Sequence, residues 1–289
     1  MYKRTDHSLV RIGSEYRPAP AQGAETRWVS YRARDGLEIP AVLTLPQPDA
    51  RGVGVVVIAQ DGPSTASRSG YSGLVAMLAA RGFAVLQPQY RGSYGFGTVL
   101  AIADRHPWRA GAADDVEDGL RWLRSTGIAD ANRACVIGRR YGGRPALQLA
   151  DRAEGGVRCV AARTPLADRD VDSRYAGFGT RHSDAATPYS SASFALDQLA
   201  SPAHRAEHFV VPVLGARPNF DDVLVKHADS LLQSLSRHGK PVDVIAEEGV
   251  DLYDAVAENR RRWFAALDAF LQRTMGASPV SPASVSASP

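Results

Sequence analysis

Between an apolar run and a helical pattern the chain reads RACVIGRRYGGRPALQLA, Arg133 to Ala150. A short strand, a glycine-rich corner and a helix is the local design that mounts a catalytic serine, with the nucleophile at the centre of the corner. Here the centre is Arg140, preceded by Arg139 and followed by Tyr141, Gly142 and Gly143. An arginine supplies no nucleophile. It supplies a fixed cation with a planar fork of donors, suited to a carboxylate or a phosphate. Two arginines where a helix begins also sit at its positive end, so anions must answer them.

The elements that would position this corner are legible on either side of it. TRWVSYRA and LEIPAVLTLP flank RDG, a hairpin turn signal. After them come GVGVVVIA, FAVLQP, RACVIG, GVRCVAA, FVVPVLGA and PVDVIAE, short, β-branched and nearly all apolar. Runs of that kind suit strands buried on both faces of a parallel sheet. Helical patterns separate them: SGLVAMLAARG closing at Gly82, AADDVEDGLRWLRSTG closing at Gly127, VLVKHADSLLQSLSRHG and YDAVAENRRRWFAALDAFLQRTMG. The expected class is α/β: a mostly parallel central sheet with an N-terminal antiparallel hairpin and helices on both faces.

Residues 1–25 are polar and contain RPAPAQGAE, which reads as an extended lead-in. Residues 26–275 read as one domain. Residues 276–289, GASPVSPASVSASP, carry no charge and too little apolar surface to offset their ordering entropy, and read as a disordered tail. No internal repeat is evident.

The whole chain has 289 residues, 44% hydrophobic and 22% charged, with a formal net charge of +3. That charge is too small, and the arginines too scattered, for a nucleic-acid surface. No cluster of His, Asp or Cys has metal-ligand spacing, and no cofactor is expected. MYKRTDHSLV lacks the apolar core of a secretory signal, and no apolar run is long enough to span a membrane, so the expected location is cytoplasmic. Cys135 and Cys159, each inside an apolar run, read as reduced core residues rather than a disulfide, a metal pair or a nucleophile.

In this order the residues resemble the catalytic domain of the prolyl oligopeptidase family, serine hydrolases with the α/β-hydrolase fold. YRARDGLEIPAVLTLP is similar to that family's domain entry. QPQYRGSYGFG, Gln87 to Gly97, is similar to its Asn-(Phe/Tyr)-Arg-Gly-Ser-x-Gly-(Tyr/Phe)-Gly segment. DDVEDGLRWLRSTGIADANRACVIG resembles the helix and strand leading to the nucleophile, and SPAHRAEHFVVPVL carries the Ser-Pro and Pro-Val-Leu positions before the acid. LVRIGSEYRP resembles the tail of the segment that follows a β-propeller in relatives, and no propeller is expected within these residues. The likeness runs from about Leu9 to Met275.

The resemblance implies a nucleophile elbow, an acid, a histidine base and an oxyanion hole, and it shows where this chain departs. The elbow Gly-x-Ser-x-Gly is Gly138-Arg139-Arg140-Tyr141-Gly142, with Arg140 in place of the serine. The acid position is Asp221, with Asp222 beside it and Arg217-Pro218 where the family has His-Gly. The base position, Glu-Gly-His in the family, holds Val250. The oxyanion hole would use the Tyr141 amide and the loop AQDGPS, where Gln60 stands for the family's His or Tyr and Asp61 for its Gly.

Three functions follow from these departures. The leading one is a pseudohydrolase with a binding or regulatory role, its partner an anionic small molecule, a peptide carboxylate, a second copy or an active relative. A second is a lyase, isomerase or cyclase in which Arg140 holds an anionic group, Gln60 and Tyr141 polarise a carbonyl and Asp221 moves a proton. A third is a serine hydrolase with a relocated triad drawn from His182, His204, His208, His227, Ser64, Ser190 and Ser191. Arg140 is expected to pair internally with Asp61, Asp221 or Asp222, plugging the former site, to receive an external anion with Arg139 and the Tyr141 amide, or simply to point to solvent.

Simpler readings cover the other singled-out residues. Arg91 ties its loop to a carboxylate, Asp114 and Asp115 answer a helix dipole, Trp108 and Trp122 are packing, and Pro145 sits in a first turn where its missing N–H matters little.

Overall fold

The computed structural model describes residues 2–5, 8–11, 23–61, 66–67, 70, 72–103, 111–152, 156–168, 200–219, 223–248 and 256–276. Ten strands are described: β1 Tyr2–Thr5, β2 Ser8–Arg11, β3 Glu25–Arg32, β4 Glu38–Leu45, β5 Val53–Ala59, β6 Ala84–Pro88, β7 Ala129–Arg139, β8 Val157–Arg163, β9 Val213–Pro218 and β10 Val242–Glu247. Six α-helices accompany them: α1 Gly73–Ala80, α2 Thr98–Ile102, α3 Gly111–Ser125, α4 Gly143–Leu147, α5 Val223–Arg237 and α6 Ala257–Met275.

Eight strands form one sheet in the order β10-β9-β8-β7-β5-β6-β4-β3, with β4 antiparallel to both its neighbours and every other pairing parallel. The apolar runs become strands because both faces are covered. On one face Val55, Val57, Leu86, Val136 and Val160 pack beneath Val116, Leu120, Leu123 and Leu231. On the other, Val56, Val85, Ile137 and Ala161 pack beneath Leu78, Trp263, Leu267 and Phe270. Within the stretch read as an extended lead-in, β1 and β2 pair antiparallel as a separate two-stranded sheet. Residues 277–289 of the expected tail lie outside the described residues. No helix among the described residues is long and apolar enough to cross a membrane.

The helix boundaries follow local chemistry. Ser72 accepts from the Val75 amide at the start of α1, and Gly82 and Gly127 supply the left-handed backbone after α1 and α3, with φ of 82° and 73°. After Arg139 the helical pattern is broken: a 3₁₀ turn, Arg140–Gly142, precedes the five residues of α4.

The expectation of reduced cysteines is corrected. Cys135 and Cys159 face each other across the β7–β8 register with Cα atoms 4.8 Å apart, and they are joined in a disulfide. Both are fully buried, as read, but adjacent parallel strands bring them together across a sequence gap that spacing alone does not bridge.

Arginines tie the β3–β4 hairpin and the loop after β6 to α3. Arg34 donates from its backbone and side chain to Asp118, and reaches Asp114 at 3.2 Å and Glu117 at 2.6 Å. Arg91 meets the fully buried Asp115 at 2.7 Å and Asp35 at 2.9 Å, which is the loop-tying role read for it. Asp114 stands in the first turn of α3, whereas Asp115 serves Arg91. Trp122 stacks on Tyr31 with ring centroids 6.0 Å apart, as packing; Trp108 lies outside the described residues.

Burial pushes the Asp118 carboxyl up, and the hydrogen bonds from Arg34 outweigh it, leaving the group below its ordinary value. A depressed folded pKa stabilises the fold above the unfolded pKa, and that contribution disappears as pH falls through the folded value. Asp118→Asn is therefore expected to destabilise the chain at neutral pH. The gap to the wild type should close between about pH 5 and pH 2 in urea unfolding curves recorded across that range.

Candidate active site

The order of the strands locates the site before any side chain does. From β5 the chain passes to β6 on one side and to β7 on the other, so the crevice at the carboxyl ends of β5 and β7 is the topological switch point, where open α/β sheets bind ligands. Gln60 and Asp61 leave β5 there, and Arg139 to Gly142 leave β7.

The corner after β7 is set by backbone packing. Arg139 is extended, with φ −125° and ψ 141°, and Arg140 then turns to φ 44°, the left-handed region that a side chain enters only under constraint. The constraint is visible in the glycines around it. A Cβ on Gly138 would collide with the Gly142 carbonyl, one on Gly142 with the carbonyls of Ala59 and Gln60, and one on Gly143 would sit 2.6 Å from the Pro165 Cβ. The Arg140 carbonyl accepts from the Leu166 amide at 3.0 Å, fixing the turn from the far side. Tyr141 is buried, with the Arg144 guanidinium 4.1 Å from its ring centroid.

Asp61 is an internal partner of both arginines. Its Oδ2 accepts from Nη2 of Arg139 at 3.0 Å and from Nε of Arg140 at 2.9 Å, and lies 2.9 Å from Nη2 of Arg140. All three side chains keep between a fifth and a third of their surface, so solvent reaches the cluster. Of the three candidate partners for Arg140, Asp61 is the one described in contact; Asp221 and Asp222 lie outside the described residues, as does Val250.

Gln60 is buried, and its amide donates to the Ser93 hydroxyl, which in turn donates to the Tyr90 carbonyl at 2.6 Å. The Tyr90 hydroxyl donates to the Gln60 carbonyl at 2.7 Å. The loop after β6 thus holds Gln60 by both ends.

Three of the candidate histidines, His204, His208 and His227, fall among the described residues. His227 on α5 is buried, and its Nδ1 accepts from the Asp168 amide at 3.2 Å. His204 Nε2 stands 3.6 Å from Asp168 Oδ1, and the Ser230 hydroxyl donates to Asp168 Oδ2. His208 is exposed beside Glu207 at 3.2 Å. His182, Ser64, Ser190 and Ser191 lie outside the described residues. The sequence reading missed this Asp168 cluster, and it missed the buried pair of Arg163 with Glu247, residues 84 apart at the ends of β8 and β10. A charge closing each of two apolar strands was the available signal. Among the described residues no group of three or more His, Cys, Asp or Glu gathers as metal ligands would.

The profile of the prolyl oligopeptidase family matches residues 69–278, most of the chain. The chain belongs to that family. It is 30% identical over 151 residues to dipeptidyl aminopeptidase BIII of Pseudoxanthomonas mexicana, covering 49% of this chain and 22% of that protein. To the human acylamino-acid-releasing enzyme it is 31% identical over 137 residues, covering 45% and 18%. Among solved structures, a puromycin-hydrolyzing peptidase of Mycobacterium tuberculosis superposes with a TM-score of 0.77 at 21% identity, over 90% of this chain and 40% of that one. The likeness to that structure carries the α/β-hydrolase fold, which the sheet order here shares. The chain spans about a fifth of the length of these curated relatives.

Within this family member the glycine-framed corner after β7 carries Arg140 at its tip. Because the clash of a Cβ at Gly142 is with backbone on both sides, relief requires β5 and β7 to move apart. Gly142→Ala is expected to destabilise the fold by about 3 kcal/mol or more in urea denaturation, at the top of the overpacking range.

Proposed function

We propose that this chain is a non-catalytic member of the prolyl oligopeptidase family, a pseudohydrolase that uses the former active-site corner to bind an anionic group in a binding or regulatory role. The observation that carries this reading is Arg140: the strained, glycine-framed position that aims a nucleophile holds a guanidinium at φ 44°. A guanidinium is protonated at every physiological pH and cannot attack a carbonyl. Removing the serine or the histidine alone from such a triad lowers turnover about a million-fold, about 8 kcal/mol of barrier, and the two losses do not add. By the resemblance both are replaced here, the base by Val250. Once the serine is gone the base has no proton to take, so the double replacement is coherent.

What remains at the corner is suited to recognition. Arg139 and Arg140 present planar donors that pair with carboxylates, and they converge on a carboxylate oxygen already. A small molecule or peptide with a carboxylate is the ligand class this chemistry favours.

The purified chain is expected to show no labelling by a fluorophosphonate probe and no turnover of an ester and aminoacyl-arylamide panel. Arg140→Ser alone is expected to remain inert, since the base position is still Val250. Labelling or turnover by the wild type that disappears on a mutation at the corner would refute the proposal.

A further inference from the structure

Three arginines reach the carboxyl ends of β7 and β8, and they are held in two different ways. Arg139 and Arg163 face each other in the β7–β8 register, and Arg140 follows at the elbow. Arg163 is closed off: it pairs with Glu247, lies 5.9 Å over the Trp263 ring, and each side chain of the pair is 5% exposed. Separating such a pair would leave a charge buried without its partner, so no incoming ligand exchanges with it.

Arg139 and Arg140 stand in the opposite situation. Their shared carboxylate, Asp61, is 21% exposed, and the arginines are 29% and 28% exposed. Three guanidinium N–H groups converge within 3.0 Å on its one oxygen, Oδ2. Ion pairs open to solvent contribute little to stability, so one carboxylate can take another's place on the same donors at small net cost. Asp61 is also the first residue beyond the Ala59-Gln60 segment against which Gly142 packs, so its backbone begins at a fixed point while its side chain reaches outward.

We infer that Asp61 is a built-in competitor: it occupies the carboxylate site of Arg139 and Arg140 from within the chain, and an external carboxylate binds by displacing it. The inference rests on the anion-binding reading of the corner and adds its regulation. Displacement exchanges one carboxylate for another, leaving the charge on the two arginines answered, while the released Asp61 repels the newcomer. Affinity is held down both by competition and by like charge.

The test is a titration of the full chain with N-acetylalanine, N-acetylalaninamide and inorganic phosphate, followed by calorimetry or by amide chemical shifts. Asp61→Asn is expected to bind N-acetylalanine about tenfold or more tightly than the wild type, the change produced by removing one nearby negative charge. Asp61→Glu, which keeps the charge, should stay near the wild type, and the neutral amide should bind neither. Equal or weaker binding by Asp61→Asn, with the wild type binding the acid, overturns the competitor and leaves the anion site standing. Failure of wild type and variant alike to bind either anion overturns both. Should Asp61→Asn not fold, Asp61→Ser removes the same charge and carries the same comparison.

Discussion

The close approach of Gly142 to the end of β5 is the contact on which the rest of the site depends. With no side chain at 142, the turn after β7 lies directly against the carbonyls of Ala59 and Gln60. That approach closes the switch point, forces Arg140 into the left-handed region and brings Arg139 and Arg140 over Asp61. Hydrogen bonds and ion pairs decorate this arrangement, but hard-sphere exclusion defines it.

The contact is braced from behind. Tyr90 and Ser93 hold Gln60 by its carbonyl and its amide, and the loop that carries them is fastened through Arg91 to the buried Asp115 of α3. Arg34 fastens the β3–β4 hairpin to the same helix. One amphipathic helix thus anchors both the hairpin turn and the loop that holds Gln60, through Arg34 from 84 positions away and Arg91 from 24. On the other side, Leu166 and Pro165 press the elbow from the loop after β8.

Much of the fold was legible because its signals are local. Short apolar, β-branched runs mark β5 to β10, and the RDG turn signal marks the β3–β4 hairpin that completes the main sheet. The elbow was legible because its glycines are dictated by backbone contact, whatever side chain stands at the tip. What the sequence concealed depends on register. Three aspartates were candidates for Arg140, and it is the relative placement of β5 and β7 that brings Asp61 into contact with it. The pairing of Cys135 with Cys159, and of Arg163 with Glu247, likewise follows from which residues stand at the same height on neighbouring strands. His227 carries a polar ring into the interior because the Asp168 amide meets it there, a meeting that no helical periodicity announces.

The left-handed turn at Arg140 has a consequence for how such a protein can change. The strain there is imposed by Gly138, Gly142 and Gly143 and is nearly indifferent to which non-glycine residue bears it, so exchanging the side chain alters the chemistry at that point while leaving the architecture that aims it untouched. The fold keeps an address whose tenant can be replaced. The side chain at the tip can therefore change while the backbone that presents it stays in place.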